Sequence, residues 1–108
     1  MQIKKTYKEI NPELLYAEIK SLALKHGVIL SDENLTTYSQ PSDSSYFISR
    51  GTLSFKTDDK SGPGKEVLNA HILGSVRGDT RLLLDIDEKL FPEQEIAAFQ
   101  EELEFIFG

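Results

Sequence analysis

Two runs of branched side chains, Glu66–Val76 and Thr80–Asp87, are separated only by Arg77-Gly78-Asp79. A three-residue break between strand-length segments leaves room for a hairpin and little else. Its register follows from the buried face, because a one-residue slip turns every side chain over. A two-residue loop would set Ala70, Ile72 and Val76 on the same face as Arg81, Leu83, Asp85 and Asp87, burying charge or exposing hydrocarbon. A three-residue loop gathers Ala70, Ile72, Gly74 and Val76 with Leu82, Leu84 and Ile86 on one apolar face. That register makes His71 a cross-strand neighbour of Asp85, with Ser75 opposite Arg81, Leu73 opposite Leu83 and Asn69 opposite Asp87.

An apolar sheet face needs a cover, and the two ends of the chain read as helices. Asn11 is an N-cap and Pro12 suits the first helical position, where its missing N–H is no loss. Ile10 and Leu15 form a hydrophobic staple, and Gly27 supplies a left-handed stop. The spacing predicts a helix over 12–26 with Leu15, Ile19, Leu22, Ala23 and His26 on one stripe. A second amphipathic helix begins at Pro92, with Ile96, Phe99, Leu103 and Ile106 on its apolar side. Its other side carries Glu93, Glu95, Glu101, Glu102 and Glu104 with no lysine on the same helix, so like charges weaken it and tertiary packing has to compensate.

Between the helices, Leu35–Tyr38 reads as an edge strand followed by a loop through Pro41. Ser45–Lys56 alternates, with Phe47, Leu53 and Phe55 on one side and Tyr46, Ile48, Arg50, Thr52 and Ser54 on the other. Gly51 falls on the apolar side and is expected to mark a bulge. Residues 57–65 (TDDKSGPGK) are expected to form an exposed, mobile connection. The expected fold is therefore α+β: one two-layer domain over residues 1–108, ordered α-β-β-β-β-α, with a mostly antiparallel sheet of three to five strands. A chain of 108 residues without cysteine builds this on packing alone, with no disulfide or thiolate metal site.

Charge narrows the functional classes. The net charge is −6, and residues 85–108 hold eight acids against one lysine, whereas residues 1–26 hold five lysines against three glutamates. An acidic terminal helix disfavours phosphate backbones and anionic lipid, and steers towards a basic protein partner. Nucleic-acid binding is not expected. No apolar run reaches membrane-spanning or signal-peptide length, so the expected compartment is the cytoplasm.

Motif chemistry is sparse. Gly62-Pro63-Gly64-Lys65 lacks the first glycine and the hydroxyl residue of a phosphate-binding loop. Arg77-Gly78-Asp79 is explained by turn chemistry. His26 and His71 have no histidine or cysteine partner at ligand spacing, so no metal or cofactor is assigned, and no catalytic residue either. Asp85 and Asp87 share a strand face near its end, an arrangement that is commonly only solvated. The candidate ligand or interaction residues are His71, Asp85 and Arg81 on the polar hairpin face, and Glu101 and Glu102 on the last helix. The leading expectation is a small, non-enzymatic binding or protein-interaction module, engaging a basic partner or self-associating. The alternative is a small-molecule binder or modest enzyme, with a pocket between the sheet and the last helix opened by Ser49, Gly51, Ala70 and Gly74.

Overall fold

The computed structural model describes residues 1–37, 47–58, 62, 64–75 and 78–107. In chain order the elements are β1 (Gln2–Tyr7), α1 (Pro12–Lys25), β2 (Ile29–Thr37), β3 (Phe47–Lys56), β4 (Glu66–Ser75), β5 (Thr80–Ile86) and α2 (Glu93–Phe107). The strands form one antiparallel sheet in the order β1-β5-β4-β3-β2. The α+β class and the antiparallel sheet agree with expectation, but the element order does not, since a strand precedes the first helix. Lysines at 4 and 5 hide β1 in the sequence, yet Ile3 and Tyr7 turn inward and are buried while Lys4 and Thr6 face solvent. An edge strand tolerates such charge, which also blocks pairing with a further chain. From the β1 edge the chain crosses one face of the sheet as α1 and enters β2 at the opposite edge.

The ends of α1 form as their chemistry requires. Glu13 N and Leu14 N donate to Asn11 Oδ1 at 2.7 and 3.4 Å, and Gly27 takes φ +89° just past the C-terminus. Leu15, Ile19, Leu22 and Ala23 are its buried face. Helix α2 buries Ile96, Phe99 and Leu103. Ile106, expected on that stripe, is 41% exposed, and Phe107 packs on Tyr7 instead with ring centroids 5.6 Å apart. Both helices share a core with Leu53, Phe55, Ile72, Leu82 and Leu84 from the inner sheet face. Among the described residues, no helix is long and apolar enough to cross a membrane.

The hairpin keeps its expected face and changes its register. Leu68, Ala70 and Ile72 lie opposite Ile86, Leu84 and Leu82 on the apolar side. His71, however, stands opposite Leu83, Asn69 opposite Asp85 and Leu73 opposite Arg81. The Ser75 amide bonds to the Asp79 carbonyl at 2.8 Å, so the loop closes one residue earlier than predicted. Gly78, at φ +92°, explains why. The last residue of a three-residue hairpin loop is left-handed, and the predicted loop would have put Asp79 there instead of glycine. Moving a turn by one residue slides the register by two, which preserves the faces and changes every pairing.

Gly51 is not a bulge. It pairs regularly with Ile72, and the irregularities of β3 lie at Phe47/Ser49 and Phe55/Lys56. A Cβ at Gly51 would sit 2.7 Å from Tyr16 Cδ2, and one at Gly74 would sit 2.6 Å from Pro12 Cγ. These glycines let α1 approach the sheet, so the room expected to open towards the last helix is occupied by the first. Tyr38, Pro41, Ser45, Tyr46, Val76, Arg77, the side chains of Phe47 and Ile48, and much of the 57–65 connection lie outside the described residues.

Candidate functional site

Two surfaces gather the candidate residues. The first is a groove between the helices. Its open space, about 530 Å³, is lined by Leu22 and Lys25 of α1 and by Glu101, Glu102, Phe105 and Ile106 of α2. Phe105 is 92% exposed, an aromatic ring projecting from the acidic helix face. Glu101 and Glu102 differ in role. Glu102 accepts from Lys25 Nζ at 3.3 Å and lies 3.4 Å from His26 Nε2, whereas Glu101 has no ion-pair partner among the described residues.

His26 packs these elements together. It caps the C-terminus of α1, its side chain only 9% exposed, with the ring set against Phe91 and Phe99 at centroid distances of 5.9 and 5.8 Å. Nδ1 lies 2.5 Å from Glu95 Oε2. Glu95 and Glu102 are two helical turns apart, so one face of α2 brings both carboxylates to one imidazole. The acidic helix is therefore paired from outside itself, by His26, Lys25 and, at 3.3 Å from Glu104, Lys5 of β1. Sequence reasoning missed this, although the surplus of lysine in residues 1–26 and of acid in 85–108 was its signal. It also missed Tyr7, whose buried hydroxyl has no hydrogen-bond partner among the described residues. Burial, and secondarily Glu104, raise the Tyr7 pKa above 10.0.

The second surface is the outer face of the sheet, which neither helix covers. Register aligns its side chains in three rows running across the five strands. One row is Gln2, Asp85, Asn69, Ser54 and Asp32; the middle row is Lys4, Leu83, His71, Thr52 and Asn34; the third is Thr6, Arg81, Leu73, Arg50 and Thr36. The face is thus acidic along one side, basic along the other and partly apolar in between. His71 and Arg81 meet at an open recess of about 380 Å³ that Lys4, Leu73 and Leu83 also line, while Asp85 stands in the row beside it. The expected His71–Asp85 pair is therefore not formed as a direct cross-strand contact.

Asp87 lies just past β5, its amide still donating to the Val67 carbonyl, while its carboxylate accepts from the Lys89 amide at 2.9 Å and shapes the turn into α2. Among the described residues, no three His, Cys, Asp or Glu side chains converge as metal ligands. Compared with protein-family models, with curated proteins and with solved structures, the chain matches none of them.

Proposed function

We propose that this protein is a cytoplasmic binding module that takes hold of a partner protein through the α1–α2 groove. The observation that carries the reading is the joining of Glu101, Phe105 and Ile106 in one groove with Leu22 at its base. A solvent-exposed aromatic ring beside a carboxylate without an ion-pair partner among the described residues suits a partner segment bearing a basic side chain next to an apolar one. Burying such an anchor contributes roughly 1 to 3 kcal/mol, and a charge at the rim chiefly sets association rate and choice of partner.

Affinity capture from the source cytoplasm tests it, comparing wild type with Glu101→Lys/Phe105→Ala. Glu102 is left intact because it holds Lys25 and faces His26. Both altered side chains are exposed, so the double variant should unfold at an unchanged urea midpoint. The expected result is a basic protein partner, held by wild type and lost by the variant. Equal capture by the two proteins would refute the groove as the binding surface.

A further inference from the structure

The outer sheet face, which neither helix covers, has an arrangement of charge that suits a second copy of itself. Asp85 and Asp32 occupy one row, Arg81 and Arg50 the row two positions along, and Leu83 the row between. When two such faces meet across a two-fold axis parallel to the strands, acid meets acid and base meets base. When the axis runs along the middle row, each acidic row lies over the other copy's basic row. We propose that the chain forms a symmetric dimer about this second axis, face to face, with Asp85 of each copy over Arg81 of the other.

The geometry gives further consequences. Leu83 and His71 lie on the axis and each meets its own copy, placing an apolar contact beside an imidazole pair, with paired charge on both sides. Asp85 then enters the recess that Lys4, His71 and Arg81 border. Asp32 is offset sideways by one strand spacing, about 4.8 Å, from the strand that carries Arg50 in the other copy, across the roughly 10 Å between packed sheets. Lys4 meets its own copy at the rim, where solvent screens the repulsion. Two packed sheets of this kind hold their strands within about 30° of alignment.

The area sets the size class of the interface. Three rows across five strands cover about 500 Å² per copy at ordinary strand spacing, or about 1,000 Å² for the pair. That is the lower bound for a specific interface, which places the dimer among the reversible, concentration-dependent associations. It uses a face opposite the helix groove, and it goes beyond the partner-binding reading without depending on it.

Sedimentation velocity between 5 and 500 μM, at 25 and at 500 mM salt, tests the proposal. Wild type should dimerise at low salt and dissociate at least tenfold more readily at high salt. Asp85→Arg and Arg81→Asp should each weaken the dimer about tenfold or more, because each sets like charges opposite one another. The double variant Asp85→Arg/Arg81→Asp restores opposite charges across the axis and should return to within about threefold of wild type. Leu83→Asp should be monomeric, whereas Glu101→Lys/Phe105→Ala should dimerise as wild type does. A wild type that stays monomeric at 500 μM and low salt overturns the proposal, as does a dimer indifferent to the single reversals or a double variant no better than either single.

Discussion

Gly74→Ala is a small change with a calculable effect. An ideal Cβ at this position lies 2.6 Å from Pro12 Cγ, 3.0 Å from Pro12 Cβ and 3.4 Å from Ser49 Cβ. Carbon atoms rest at about 3.5 to 4.0 Å, so the new methyl overlaps the proline ring by about 1 Å. The ring cannot swing away, because its φ is locked and it sits in the first turn of a helix held by the Asn11 cap. The N-terminus of α1 must therefore lift from the sheet, loosening Leu15 behind it. Overpacking of this kind costs about 1 to 3 kcal/mol. Against it stands a gain of about 0.4 to 1 kcal/mol from the reduced freedom of the unfolded chain. The net expectation is a loss of about 1 to 2 kcal/mol. Pro12→Ala removes the nearest atom and leaves the Cβ, so in that background Gly74→Ala should cost about 1 kcal/mol less. Urea unfolding of the four proteins, followed by far-ultraviolet circular dichroism, measures the cycle. A Gly74→Ala protein within 0.3 kcal/mol of wild type, or one equally destabilised in both backgrounds, would refute the reasoning. It would also reopen the reading in which small residues on this face leave space for a ligand.

Two further outcomes follow from buried polar groups in the core. His26→Ala removes a ring enclosed by Phe91 and Phe99 and leaves Glu95 and Glu102 without their shared partner, so it should lower stability by about 2 to 3 kcal/mol; a loss below 0.5 kcal/mol in urea melts would remove His26 from the helix–helix contact. Tyr7→Phe deletes a buried hydroxyl without a partner among the described residues and should raise stability by about 1 kcal/mol. The Tyr7 pKa is raised by burial, so its contribution is fully present below pH 10.0 and fades as pH climbs through the folded-state value. Melts from pH 8 to 11 should show a steeper alkaline decline in wild type than in Tyr7→Phe, and parallel declines would contradict the assignment.

Legibility in the sequence tracked how local the determining physics is. The N-cap, first-position proline and terminal glycine of α1 act within a few residues, and the helix forms where they place it. The hairpin face was readable because a one-residue slip has a large cost. Its register was not, since faces alone leave slips of two open, and only the left-handed demand at Gly78 selects among them. β1 was invisible for a different reason: its one ladder partner is β5, some 80 residues away, and Tyr7 is covered by Phe107 from the far end of the chain. Gly51 and Gly74 were seen as special, but the atoms that need their space belong to α1, a partner no strand pattern names. Of the candidate residues, His71 and Arg81 share a recess and Glu101 and Glu102 share a groove, while Asp85 stands apart from His71.

The segregation of charge between the chain ends acquires a structural meaning from the pairings around α2. Glu95, Glu102 and Glu104 are each met by a cation or imidazole from the first 26 residues: His26, Lys25 and Lys5. The excess of base at one end and acid at the other is thus a clamp that holds α2 over α1 and β1. Exposed pairs contribute little each, about 0 to 1 kcal/mol, but His26 is enclosed, hydrogen-bonded to Glu95 and 3.4 Å from Glu102 without a hydrogen bond to it. Acidity free to steer a partner is correspondingly smaller than the sequence total implies, and in the groove it resides at Glu101. On the proposed reading, a basic partner arriving there would meet Glu102 already engaged by Lys25, and would either use Glu101 alone or displace Lys25 from the clamp. The second course would couple partner binding to the packing of α2, because the same glutamate faces His26.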